Sequence, residues 1–119
     1  MKPKIYIAGK ITGLELNVAQ SAFDEAESFL KEVAPGWHIV NPMRLPHEHD
    51  KSYESYMAEC LAELRSCKAV YVLKGWSGSN GVLRELKLAS ELGLLVLFQT
   101  SNSDMFISFE LNKQCKKQN

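Results

Sequence analysis

The sequence lacks an excess of charge of either sign, its 14 acidic residues being matched by 14 basic ones. A chain without net charge projects no general field toward polyanions, and no local basic patch is visible, so nucleic acid is not an expected partner. Also missing is any apolar run near the ~20 residues of a membrane span, and the opening "MKPKIYIAGK" lacks the apolar stretch of a secretory leader. A cytoplasmic protein with no membrane partner is expected. Cysteine is scarce: Cys60, Cys67 and Cys115 make an odd set, with no CxxC pair and no zinc-like spacing to a histidine. Reduced thiols and no metal follow. GxGxxG, the P-loop pattern, repeats and low-complexity segments are absent as well. No linker is long enough to divide the chain, so one domain is expected over 1–119, with a core of about 4–99 and a peripheral strand and tail over 100–119.

What is present is a set of four short apolar runs, "KIYIA" from Lys4, "WHIV" from Trp37, "AVYVL" from Ala69 and "LLVLF" from Leu94. Rich in β-branched and aromatic residues and apolar throughout, they suit parallel strands covered on both faces. Helical patterns lie between them. The first opens near Asn17 as N-cap, carries Ala19, Ala22, Phe23, Ala26, Phe29, Leu30 and Val33 on one stripe, and stops at "APGW". A second runs from about Ser52 to Ser66 with Tyr53, Tyr56, Met57, Cys60, Leu61 and Leu64 on its apolar side. The third runs from about Ser79 to Leu92 and ends at Gly93 as C′ glycine. Strand and helix alternate, which predicts a parallel α/β sheet with right-handed crossovers. "MFISFEL" is a candidate final edge strand.

Open parallel sheets bind ligands outside the carboxyl ends of their strands. The loops that gather there are "GKITGLELN", "NPMRLPHEHD" and "KGWSGSNG". Glycine in the first and third lets backbone N–H groups approach an anion or a sugar, though it is also ordinary turn chemistry. His47, Glu48, His49 and Asp50 have metal-ligand chemistry, but without a further ligand set they read as a solvated loop. Cys60 and Cys67 read as core thiols. Tyr6, Tyr71 and Trp76 either stack on a base or pack the core.

The most informative residue is Glu85. At about 100° per residue, Val82, Leu86 and Ala89 centre the apolar face of the third helix, and Glu85 lies roughly 60° from that centre. Gly81, one turn earlier on the same side, leaves room above the carboxylate. Helix geometry leaves two readings open: a perturbed carboxylate in a site, or a boundary glutamate paired with a lysine or arginine.

The order and spacing of "YIAGKITGLELN", Phe23, Ala26, Leu30, Gly36, "VNP", "CKAVYVLKGWSGSNGVLRE" and "LGL" resemble the nucleoside 2-deoxyribosyltransferase-like superfamily. The resemblance covers about Lys4 to Phe98. More narrowly it is to an uncharacterised small phage and bacterial subfamily reading YIAGxxTG, then NP, then GWxxSxGxxxE. It implies a flavodoxin-like three-layer α/β sandwich with a sheet of four or five mainly parallel strands. It further implies cleavage or transfer of the N-glycosidic bond of a (deoxy)nucleoside or its monophosphate, with Glu85 as nucleophile and no cofactor. Relatives place an aspartate on the second helix to protonate the leaving base; the aligned residue here is Cys60, a weak acid, with Glu63 nearby on the helix as the candidate replacement. Tyr6, Ala8, Gly9, Lys10, Thr12, Gly13, Asn41, Arg44, Trp76, Ser79 and Gly81 are the expected substrate contacts, Lys10 and Arg44 being the basic residues available to a phosphate. A homo-oligomer, dimer or larger, is expected on the same ground. The competing expectation is a catalytically silent nucleotide-binding module that has lost the acid.

Overall fold

The four apolar runs become four strands in the computed structural model, which describes residues 2–45 and 52–99. The elements are β1 (Lys4–Ala8), α1 (Leu16–Val33), β2 (His38–Val40), a 3-10 turn (Pro42–Arg44), α2 (Tyr53–Leu64), β3 (Ala69–Val72), α3 (Asn80–Leu92) and β4 (Leu95–Phe98). His47, Glu48, His49, Asp50, Cys115 and the expected edge strand over 105–111 lie outside the described residues.

All strand pairs are parallel and the order is β2-β1-β3-β4, the flavodoxin-like arrangement. The chain moves one way from β1 to β2, then crosses back over β1 to β3 and on to β4. Because right-twisted strands accept only right-handed crossovers, that reversal puts the first helix on one face of the sheet and the later two on the other. Side chains alternate accordingly. Ile5 and Ile7 of β1 and Tyr71 of β3 pack with Phe23, Ala26 and Leu30 of α1. Tyr6, Ala8, Val70 and Val72 pack with Cys60 and Leu64 of α2 and Val82 and Ala89 of α3. The central strands β1 and β3 are therefore buried on both sides, which is why they read as continuous apolar runs, while β2 and β4 at the edges are partly exposed.

Helix ends largely follow their chemistry. Ser52 Oγ accepts from Ser55 N at 3.1 Å and Ser79 Oγ from Val82 N at 3.3 Å, capping α2 and α3. Asn17 is not the N-cap of α1. That helix begins at Leu16, with Glu15 in the cap position making no side-chain cap bond, and Asn17 Oδ1 accepts from the adjacent Val18 N instead. Entry into α1 is set by packing of Ala19 and Phe23 on the sheet rather than by a polar cap. Tyr53, assigned to the apolar stripe of α2, is exposed. Among the described residues no helix is long and apolar enough to cross a membrane.

Gly93 ends α3 in the left-handed region, φ 69°, where a Cβ is strained. Gly93→Ala is expected to lower stability by about 1 kcal/mol without altering the fold, measured by thermal denaturation.

Candidate active site

The side-chain alternation of β1 sends Tyr6 to the α2–α3 side, where it is fully buried. There its hydroxyl donates a hydrogen bond to Glu85 Oε2. Glu85 is not marginal on its helix: it is 5% exposed, buried in the same row as Val82 and Ala89. Its hydrogen-bond partner is a phenol rather than the lysine or arginine that a structural boundary glutamate would choose. Arg84, its neighbour in sequence, turns away to Glu54 on α2, Nη1 to Oε1 at 3.1 Å.

Burial pushes the Glu85 carboxyl up to about 7, and the Tyr6 hydroxyl offsets only part of that rise. Tyr6 is itself raised well above the usual phenol value, by burial first and by the adjacent Glu85 second. Two groups of α2 complete the cluster. Burial pushes the Cys60 thiol up to about 11, against the lowering effect of its hydrogen bond with Tyr6. The Tyr56 hydroxyl is also raised, by burial and by Cys60.

Above these groups opens a cavity of about 760 Å³, at the carboxyl ends of β1 and β3 where the strand order reverses. Of the residues expected to contact substrate, Tyr6, Gly9, Lys10, Thr12, Ser79 and Gly81 line it together with Glu85. At Gly9 a Cβ would lie 2.8 Å from Leu73 Cδ1 and 3.0 Å from Phe23 Cζ, so those side chains would have to shift to admit one. At Gly81 a Cβ would stand 3.3 Å from Met57 Sδ and 3.6 Å from Tyr53 Oη. The space beside that glycine therefore serves the approach of α2 to α3 as well as the cavity.

Other expected contacts lie elsewhere. Ala8 is buried in the core cluster with Cys60 and Val82, and neither it nor Gly13, at φ 88°, is among the lining residues. Asn41 and Arg44 do not face it because they join a network with α1: Asn41 Nδ2 donates to Asp24 and Glu27, and Arg44 Nε meets Glu27 Oε1 at 2.7 Å. Burial pushes the Glu27 carboxyl up, but donors from Lys31, Asn41 and Arg44 outweigh it and hold the group near 2. Trp76 packs its ring against Phe98 of β4 at 5.6 Å between centroids. Glu63 is not among the residues that line the cavity. Its carboxylate pairs with Lys4 at 3.6 Å, at the start of β1 and so at the opposite end of the sheet from the cavity. Cys60, aligned with the relatives' acid, lines the cavity, and so do Tyr53, Tyr56 and Met57, which the sequence marks only as an apolar helix stripe; a stripe this rich in phenols was the available signal. Among the described residues no group of three or more His, Cys, Asp or Glu could hold a metal ion.

Residues 3–98 match a family described as a domain of unknown function, DUF4406. The chain belongs to the DUF4406 family. The matched span contains every described strand and helix, so the DUF4406 domain includes both halves of the Tyr6–Glu85 pair. No curated protein matches the chain.

The raised Glu85 has a stability consequence with a definite sign. Folded, the group titrates near 7; unfolded, near 4.5. Between those values the folded state holds a proton that the unfolded state has released, so this contribution favours folding at low pH and is lost as pH rises from about 4.5 to about 7. Glu85→Gln keeps an acceptor for Tyr6 and removes the ionisation. In urea denaturation the variant should exceed the parent by about 3 kcal/mol near pH 8, and by less than about 1 kcal/mol near pH 5.

Proposed function

We propose that the domain cleaves or transfers the N-glycosidic bond of a (deoxy)nucleoside or nucleoside monophosphate, with Glu85 as nucleophile. The observation that carries this reading is a buried carboxylate, oriented by one neutral donor, on the floor of a cavity large enough for a nucleoside. The resemblance of the glycine-rich loops and of the Glu85 segment to the nucleoside 2-deoxyribosyltransferase-like superfamily supports it.

Ionised Glu85 attacks the anomeric carbon as the carbon–nitrogen bond breaks, and the bonding pair leaves with the base. Water or a second base then attacks the glycosyl ester from the vacated side and regenerates the carboxylate. Tyr6 is a positioning residue: buried and hydrogen-bonded to Oε2, it limits Glu85 to one orientation and leaves the other oxygen for the sugar. Lys10 and Thr12 on the β1–α1 loop and Ser79 at the start of α3 face the same cavity and supply polar contacts to sugar hydroxyls or a 5′-phosphate. A homo-oligomer is part of the proposal on the ground of resemblance.

A second reading, a nucleotide-binding module without turnover, is favoured by one feature. Cys60, where the resemblance places an acid, holds its proton up to about 11, and Glu63 is bound to Lys4.

Incubation with a panel of nucleosides, deoxynucleosides and their monophosphates, with free base followed by chromatography, tests both. Turnover should fall by on the order of 10³-fold or more in Glu85→Gln; undiminished release in that variant refutes the nucleophile. Saturable binding with no base released from any substrate establishes the second reading. Because attack needs the ionised carboxylate and the facing Tyr6, Tyr56 and Cys60 stay protonated, kcat should rise with pH through about 7. Tyr6→Phe removes the lowering donor and should shift that midpoint upward; an unmoved midpoint would show that Tyr6 does not act through Glu85.

A further inference from the structure

The proton-bearing groups around Glu85 share one property. Tyr6 is committed to Glu85 Oε2, and it, Tyr56 and Cys60 are all held protonated more firmly than in water, by burial first. A general acid must give up its proton as the bond breaks, and a donor with its proton affinity raised this far does so poorly at neutral pH. Glu85 is the one carboxyl among the described residues that line the cavity. Glu27 is engaged with Lys31 and Arg44, Glu54 with Arg84 and Glu63 with Lys4, and Glu59, near Tyr56 and Cys60, is not among the lining residues. Among the described residues the cavity therefore offers a carboxylate nucleophile beside reluctant acids.

The lining also has a positive preference. Tyr6, Phe23, Tyr53 and Tyr56 are among the residues that line the space Glu85 borders, and the Tyr53 ring already takes the flat Arg84 guanidinium at 5.8 Å from its centroid. Aromatic faces with one buried carboxylate make a cradle for a flat cation, which gains from both the ring quadrupoles and the negative charge. Lys10 lines the same cavity, but the hydrogen-bond partner of Glu85 is the neutral Tyr6 hydroxyl.

Resting on the glycosidic reading above, we propose that the preferred substrates are N-glycosides whose departing heterocycle is already cationic, such as a pyridinium or an N7-alkylated purine nucleoside. With these no proton has to be supplied. Glu85 forms a bond to the anomeric carbon, the carbon–nitrogen pair collapses onto the ring and cancels its positive charge, and a neutral base departs. Water then adds to the anomeric carbon of the ester, losing a proton to solvent, and the carboxylate is released.

The test compares 7-methylguanosine with guanosine, and their 2′-deoxy counterparts, with nicotinamide riboside as the pyridinium probe. Each rate is divided by the spontaneous rate of the same compound, and Glu85→Gln serves as control. The inference expects a rate enhancement for the cationic member of each pair at least about 10²-fold above that for its neutral partner, the lower end of what a general acid contributes, and lost in Glu85→Gln. Equal or greater enhancement for the neutral members, still dependent on Glu85, overturns the inference and leaves the glycosidic reading standing. No release from any probe, or release indifferent to Glu85→Gln, overturns both.

Discussion

The hydrogen bond from Tyr6 to Glu85 is the constraint around which the candidate site is arranged. It joins the middle of β1 to the middle of α3 across a layer that is otherwise apolar. A carboxyl group placed there sheds nearly all its water and receives one neutral donor in return. Two features follow from that. The carboxyl is held near neutrality, poised between its two protonation states, and its orientation is fixed by a strand at the centre of the sheet rather than by a loop. α2 closes over the pair with Cys60 and Tyr56, and Gly81 permits Met57 to come near enough for that closure.

Glu27 shows how the same chain treats a buried carboxylate that serves structure. It sits among Lys31, Arg44 and Asn41, and these donors draw its proton affinity far down. The network ties α1 to the turn after β2 and opens onto no part of the larger cavity. Glu85 has no such company and faces that cavity. A group left destabilised by burial, where an apolar residue would fit the surrounding core better, is a cost that stability alone does not explain.

Much of the fold was legible because the central strands are buried on both faces and each helix on one, so period and composition pointed to the same elements. Ser52, Ser79 and Gly93 marked three helix ends correctly by their own chemistry. Asn17 misled because α1 enters without a polar side-chain cap, its start being decided by contact with the sheet. Asn41 and Arg44 turn toward α1 for a related reason. Position beside a strand end is a property of the sequence, but whether a side chain turns to the cavity or to α1 depends on which partners stand within reach, and Glu27 and Asp24 of α1 were nearer.

By itself the sequence determined the alternation of strands and helices, the parallel sheet and the presence of one anomalous glutamate, because these depend on local periodicity and on the handedness of crossovers. Tertiary structure alone decided that the partner of Glu85 is Tyr6, 79 residues away in the chain. It likewise placed Glu63 at the far end of the sheet and the phenols of α2 around the cavity. Helix geometry says which residues share a face. Only the packing of α2 and α3 against β1 sets what that face meets, and with it how much water, charge and hydrogen bonding each titratable group retains.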